Sequence, residues 1–566
     1  MRRIAPTFVA AVLAIAYLIV DPTGADLPAQ LFRAKLFGVE GFGIWNNWWY
    51  AGHNVTGYSV LFPALAWLTS PQLVAALASV GTAAAFEAIA HDSFGEDAWL
   101  GATWLGAATV TELLSGRLTF AFGLCGAMLT ALALVRRRSG LALLVALLTA
   151  LASPVAALFA ALAGATAIFV PGMRRTGAGV ILAALVPVLA LAIVFPEGGS
   201  QPFAFSTLWP LLVAGAFLVG ATYGADSTQR GGGRGAVRGD GRIDSAINRT
   251  TVITVATILY AAGCLLAYGL STPVGSNAAR LGELVAGPLA ALLLVSRRAY
   301  RPAITTLVLA ISAVPLTYIQ VREAIGDLQH GWRAPYDGAA YYRPLIGFLG
   351  SQPGAREHSW RIEVPFTQGH WEADRLAPEF ALARGWERQL DIADDSLFYG
   401  AKLDASSYRS WLSRLAVRYV AVAAPSSPAS SPTSSSKVEV KMQVDAPADY
   451  SARAELRLIG SGLPYLKRVA TLKNWIVYEV ADPTPIVTGA AEQTGMGANW
   501  LKLTFTRPGS ALIRVRFSPY WKLSGVRGCV APAGDFTRIS AMTAGRASLT
   551  IAFALGRIGA RSRRCD

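Results

Sequence analysis

Charge is scarce in this chain. Only 15% of its 566 residues are Asp, Glu, Lys or Arg, against 53% hydrophobic ones. A mean hydropathy of +0.42 excludes an ordinary water-soluble protein of this length. Within the apolar runs Glu87, Glu112 and Glu283 fall near run ends, which weakens a transporter reading, because an ion path needs charge at mid-membrane. Cysteine is limited to four positions and histidine to five. No spacing among them resembles a zinc site, and scattered histidines argue against a dedicated His cluster, so no metal ligand is assigned. A nucleic-acid partner is not expected either.

What is present is length in apolar runs. Runs near 4–20, 72–90, 98–114, 119–135, 140–153, 154–171, 177–195, 205–224, 250–270, 281–296 and 302–319 predict about eleven transmembrane helices, since a span needs about 20 residues. The stretch from Tyr58 to Ser70, broken by Pro63 and Pro71, reads as re-entrant or interfacial. The first run, preceded by Arg2 and Arg3 and followed by Thr23-Gly24-Ala25, resembles a signal peptide. Its retention agrees better with the arginine pattern.

That pattern sets an orientation. With the N-terminus inside, the inner loops hold Arg2, Arg3, Arg136, Arg137, Arg138, Arg174, Arg175, Arg230, Arg234, Arg238, Arg242, Arg249, Arg297, Arg298 and Arg301, whereas the outer loops hold only Arg33, Lys35, Arg117 and Arg280. Positive residues stay on the cytoplasmic side of short loops, so the N-terminus is expected in the cytoplasm and everything after Thr317 outside. The inner loop Ala225 to Asn248, with its run Gly231 to Arg242, is too glycine-rich to order itself and reads as a connector, or as a contact for anionic headgroups.

The expected organisation is a membrane domain at 1–319, an extracytoplasmic α/β region at 320–424, a Ser/Pro linker at 425–436 and a mostly β module at 437–566. Trp360 to Pro365 reads as a strand, Ser407 to Ala416 as an amphipathic helix, and Val417 to Val422 as the strand it enters. Alternation in Trp475–Val480, Leu501–Phe505 and Ala511–Phe517 suggests an antiparallel sheet or sandwich. Cys125 and Cys264 sit in apolar runs, where a thiol is usually a small hydrophobe. Cys529 and Cys565 lie in an oxidising compartment; if they pair, they tie the tail to the β module with about 3–4 kcal/mol as an upper guide.

The stretch with most chemistry comes after the first run: Asp21, Asp26, Arg33 and Lys35, then Trp45-Asn-Asn-Trp48-Trp49-Tyr50-Ala-Gly-His53 and Tyr58. It places carboxylates, cations and aromatics just outside a membrane helix, where a lipid-linked substrate would be met. The aromatics have two readings, stacking on sugar faces or a belt at the membrane interface. Further along, Glu372, Asp374, Trp386, Glu387, Arg388 and Asp391 form the densest mix of carboxylate, guanidinium and indole; this suits saccharide binding or an internal salt-bridge network.

The Asp26-to-Arg33, Trp45-to-His53 and Tyr58-to-Pro63 segments, with Leu114-Ser-Gly-Arg-Leu-Thr-Phe, Leu151-Ala-Ser-Pro-Val155, Thr272-Pro-Val-Gly-Ser-Asn277-Ala-Ala-Arg280 and His370-Trp-Glu, resemble bacterial integral membrane proteins labelled pyruvoyl-tetrahydropterin-synthase-related, in an actinobacterial branch. These look like members of the GT-C superfamily of glycosyltransferases; nothing here looks like a pterin site. The resemblance implies a GT-C-like membrane fold, a polyprenyl-phosphate sugar donor, and an outward envelope saccharide or glycolipid acceptor. Asp26 best matches the place of a general base in the first outer loop, with Asp21 second; Asp26 also suits the cap of a helix starting at Leu27-Pro28. Arg33, Lys35, Arg117 and Arg280 are the cations available to a phosphate leaving group, although Arg117 has Glu112 nearby and Arg280 has Glu283 three residues on. Asn277 would bind a headgroup or cap a helix, and His53 would position an acceptor or do nothing. Trp48, Trp49, Trp386 and Arg388 complete the candidate contacts. Asp21, Asp26, Glu112 and Glu283 either converge on a divalent ion or stay apart. A non-catalytic envelope assembly or carbohydrate-binding protein is the competing class.

Overall fold

The computed structural model describes residues 5–230, 242–297, 302–331, 334–400, 402–424 and 448–565. The glycine-rich connector at 231–241 and the Ser/Pro run at 425–436 lie outside the described residues. The chain divides into a helical unit, Met1–Leu27 with Tyr58–Ala190 and Ser200–Gln329, and a β-rich unit, Pro28–Gly57 with Leu191–Gly199 and His330–Asp566.

In the helical unit every apolar run expected to span is helical. Among the described residues seven segments are long and apolar enough to cross a membrane: Pro71–Leu114, Leu118–Val135, Arg174–Val194, Phe205–Thr222, Arg249–Gly269, Gly275–Val295 and Pro302–Gln329. Pro6–Val20, Ser139–Ala152 and Pro154–Ile168 are shorter apolar helices. Two starts come directly from sequence: Ser70 and Ser153 accept the backbone N–H of Leu73 and Ala156, and each is followed by a proline whose missing N–H costs nothing there. Buried alanines such as Ala142, Ala146, Ala157 and Ala160 let the helices approach closely. Leu182, Leu189, Ile193 and Leu266 point outward, and only 17% of the Arg174–Val194 window and 11% of the Arg249–Gly269 window are covered by protein. Helices this apolar and this bare are solvated by lipid. The chain is a polytopic membrane protein.

Two local departures from the expected boundaries matter for where charge sits. The last helix continues to Gly331 instead of ending near 319, so Arg322, Glu323 and Asp327 ride on it. The stretch after Tyr58 forms the short helix Phe62–Leu68, with Pro63 in its first turn.

The β-rich unit holds three larger sheets. The first orders Arg361–Glu363, Val417–Ala423, Trp475–Val480 and Leu466–Thr471, the first pair parallel and the others antiparallel. Two of its strands thus come from beyond the Ser/Pro run. The helix Ala405–Arg414 covers it, started by a capping box in which Asp404 accepts from Ser406 and Ser407 while Ser407 returns a bond to the Asp404 N–H. Tyr408, Trp411 and Leu412 pack against Val420, Val422 and Ile476. The other sheets, of five and four strands, are antiparallel, and strands such as Gly509–Arg516 bury alternate residues, as a sheet with one face turned to a core requires. Cys529 and Cys565 form a disulfide between neighbouring strands.

The tryptophan-rich stretch corrects both readings offered for it. Trp45, Trp48, Trp49 and Tyr50 are no membrane belt and offer no open face to a sugar: all are buried in the β-rich unit. Trp49 stacks on Phe32 at 4.1 Å and donates to the Ala373 carbonyl, while Trp48 meets His358 edge-on. The Trp45 indole N–H donates to Asn47 Oδ1 at 2.7 Å, so it and Trp49 are buried with their donors satisfied and contribute core stability.

Candidate functional site

In the helical unit two turns lie back to back. A Cβ on Gly24 would stand 2.4 Å from the Gly116 nitrogen, and one on Gly116, whose φ is +74°, would stand 2.6 Å from the Leu27 nitrogen. Only glycine permits that approach at both places. The Asp26 N–H donates to the Ser115 carbonyl at 3.2 Å, and the helix Leu27–Glu40 begins immediately after Asp26.

The result is a cluster of charge on helix ends. Arg280 in the first turn of Ala279–Val295 reaches Asp26 at 4.0 Å and lies over the Phe120 ring. Arg117 pairs with Glu323, and Arg322 with Glu283 at 3.1 Å. The pairings the sequence offered as the alternative to phosphate binding, Arg280 with Glu283 along a helix and Arg117 with Glu112 across a turn, are not the ion pairs made: Arg280 faces Asp26, and Arg117 pairs with Glu323. Glu112 is buried within electrostatic reach of Arg117, Arg280 and Asp26, and its Oε2 has no hydrogen-bond partner. Asp327 lies beside Ser115 and within electrostatic reach of Arg117 and Asp26. Asp26 is 34% exposed, so the cluster has an open carboxylate at its edge. Sequence reasoning missed Arg322, Glu323 and Asp327; the signal was polar residues still at helical spacing after the apolar run stopped.

Other candidates fall elsewhere. Asp21 is exposed, accepts from Gln72 and succeeds the first helix with its N–H on the Tyr17 carbonyl. Asn277 sits in the 3-10 turn Gly275–Ala278 and makes no side-chain cap for the helix after it. Arg33 and Lys35 belong to the β-rich unit, paired with Glu387 at 2.9 Å and Asp374 at 2.7 Å. Trp386 lies flat on His370 with ring centroids 3.5 Å apart, and Arg388 bonds the Tyr450 hydroxyl. Sequence reasoning passed over Arg384, which holds Asp391 through two hydrogen bonds and lies 3.7 Å from Glu363 and 3.5 Å from Glu455, all buried. Of the charged and aromatic stretch singled out from sequence, Asp391 belongs to this buried network, whereas Trp386, Glu387 and Arg388 are half-buried.

Among the described residues no three of Asp21, Asp26, Glu112 and Glu283 bring their carboxylate oxygens within 4.8 Å of one another. Among the described residues the group whose ligand atoms all lie within 4.8 Å of one another is His53, Glu197 and Glu387, in the β-rich unit. His53 Nδ1 is 3.3 Å from Glu197 Oε2, and its Nε2 is 3.0 Å from Asn46 Nδ2. Burial pushes the Glu197 carboxyl up to about 7 against the pull of His53. Burial also drags His53 down, but the hydrogen bond and charge of Glu197, with Glu387, more than restore it.

No protein-family profile matches the chain, and no curated protein matches it. Among solved structures it is similar to the Archaeoglobus fulgidus oligosaccharyltransferase in its complex with Zn and sulfate, with 12% identity over 84% of this chain and 73% of that one and a TM-score of 0.38. A superposition this loose assigns no superfamily.

Proposed function

We propose that this protein is a GT-C-type glycosyltransferase of a bacterial plasma membrane, from the actinobacterial group it resembles, with its N-terminus cytoplasmic and its β-rich unit extracytoplasmic. It would move a sugar from a polyprenyl-phosphate donor to an envelope saccharide or glycolipid. The observation that carries this reading is the partly exposed Asp26 carboxylate, held by the Gly24 and Gly116 turns 4.0 Å from the Arg280 guanidinium.

The chemistry rests on those two groups. Asp26 accepts the proton of the acceptor hydroxyl as its oxygen attacks the anomeric carbon; the bond from that carbon to the phosphate oxygen breaks, and its electron pair leaves with the lipid phosphate. Arg280, and Arg117 beside it, stabilise that phosphate. Three arginines face five carboxylates in the cluster, so the phosphate exchanges with a carboxylate already on the guanidinium. The long Arg280–Asp26 contact is the one that yields most easily, and its release frees Asp26 as a base.

The test is transfer from a panel of labelled polyprenyl-phosphate sugars to envelope extracts by the purified full chain, beside Asp26→Asn. Label in acceptor with the parent and a ~10²- to 10⁴-fold loss in the variant, the usual worth of a general base, supports the proposal. Equal transfer by both proteins removes Asp26 from the role. No transfer from any donor, with saccharide still bound, supports the non-catalytic envelope protein instead.

A further inference from the structure

We infer that His53, Glu197 and Glu387 form a zinc site in the β-rich unit, independent of the transfer chemistry. The three come from separate segments: the two-residue strand His53–Asn54, the loop after Val194, and the turn before the Arg388–Asp394 helix. One imidazole and two carboxylates suit a borderline-soft dication of this kind.

The surroundings are those of a prepared ligand set. Glu387 Oε2 accepts from Arg33 at 2.9 Å and Oε1 from Gln389 at 2.8 Å. A carboxylate has about four lone-pair sites, so two donors orient it and leave capacity for an ion. The Asn54 side chain donates to the Pro196 carbonyl at 3.1 Å, fixing the loop that carries Glu197. With both carboxyls deprotonated, as metal ligation requires, two carboxylates against one guanidinium leave the group one negative charge in excess, which a dication reverses. His53 is 4% exposed and Glu197 17%, so the Glu197 side is where an ion enters and where water completes the coordination.

Asn46 makes the inference sharp. Its Oδ1 accepts from the Trp48 N–H at 2.9 Å, which aims its Nδ2 at His53 Nε2. In that state Nε2 is an acceptor and the proton sits on Nδ1, facing Glu197. Zinc on Nδ1 displaces that proton and needs Nε2 to carry one, so the Asn46 amide must turn over and give up Trp48. An aspartate at this position accepts from both N–H groups at once and forms the carboxylate–histidine–metal arrangement that raises affinity by roughly 10- to 100-fold.

The experiment uses the purified full chain, stripped with chelator and titrated with zinc by calorimetry, with X-ray absorption at the zinc edge. One zinc per chain is expected, with nitrogen and oxygen ligands at about 2.0–2.2 Å. His53→Gln and Glu387→Gln should each weaken it by ~100-fold or more, and Asn46→Asp should tighten it by at least ~10-fold. Circular dichroism identifies any variant that fails to fold, and the Asn46→Asp gain stands apart from such losses. Absence of stoichiometric zinc in the parent, or binding indifferent to all three substitutions, overturns the inference. Transfer activity enters neither readout, so its absence leaves this result unchanged.

Discussion

The molecule has two charge clusters with opposite characters. Around Arg384 the guanidinium is 2% exposed, holds Asp391 through two hydrogen bonds of 2.9 and 2.7 Å, and lies between the rings of Phe366 and Phe398. Asp391 in turn accepts from Tyr399 and Glu455 from Tyr408. Around Asp26 the carboxylate is 34% exposed and its arginine stands off at 4.0 Å. A guanidinium enclosed by three carboxylates and two rings has no partner to exchange, so its work is to hold segments 363, 391 and 455 together. A loose, partly wet pair can change partners, which substrate binding demands.

The strongest way to break that contrast is Arg384→Met. Removing one member of a buried network leaves uncompensated carboxylates and is expected to cost about 3–5 kcal/mol, read as a fall in the denaturant midpoint of the purified protein. Asp26→Asn should leave that midpoint within about 0.5 kcal/mol of the parent, as substitutions away from buried networks usually do. Equal losses in the two variants would erase the distinction between a structural and an exchangeable cluster.

Much of the fold was legible in the sequence. Strand alternation found Trp475–Val480 and, in Ala511–Phe517, most of Gly509–Arg516, and amphipathic spacing found the helix from Ser407, two residues after its start at Ala405; these signals are local. The clusters were not legible because their members are joined only by tertiary contact. Glu197 is a single carboxylate in a loop, 144 residues from His53. Arg384 looks like any arginine in a charged run until Glu363 and Glu455 are brought to it. The tryptophans misled for a different reason: a membrane belt and a domain core draw on the same residues, and only burial separates them. Asp26 stood out only through the resemblance; the glycines that bring its turn against the Ser115 turn, Gly24 and Gly116, lie 92 residues apart and show their partnership only once the chain is folded.

A second comparison lies inside the β-rich unit and sharpens its structural character through pH. His370 Nδ1 and Glu372 Oε1 are 3.7 Å apart and look like an ion pair. Burial holds both neutral instead: it pushes Glu372 up to about 8 and His370 down to about 3. For Glu372 the folded value exceeds the ordinary 4.5, so its contribution is complete below 4.5 and is lost as pH rises toward 8. For His370 the folded value is below 6.5, so its contribution is complete above 6.5 and is lost as pH falls toward 3. Glu372→Gln should therefore relieve the alkaline decline in stability by about one proton's worth, roughly 1.4 kcal/mol per pH unit at most, and leave the acid limb intact. Thermal unfolding monitored from pH 4 to pH 9 checks it; an unchanged alkaline slope would mean that Glu372 is ionised in the folded protein.

The smallest expected effect tests the exchangeable cluster from its cationic side. Arg280→Gln keeps a hydrogen-bond donor opposite Asp26 and removes the charge. Asp26 is about a third exposed and the contact is long, so stability should move by less than about 1 kcal/mol, as for other solvent-reached pairs. A donor phosphate feels the change more, because it loses a charge-assisted bond of roughly 1.5–3 kcal/mol. Transfer should fall by about 10- to 100-fold, and the donor concentration for half-maximal rate should rise if the guanidinium grips the ground state as well as the departing phosphate. A fall in rate without change in that concentration would assign Arg280 to the transition state alone. A midpoint loss like that of Arg384→Met, with transfer per folded molecule unchanged, would make Arg280 a structural arginine and leave Asp26 without the partner the mechanism gives it.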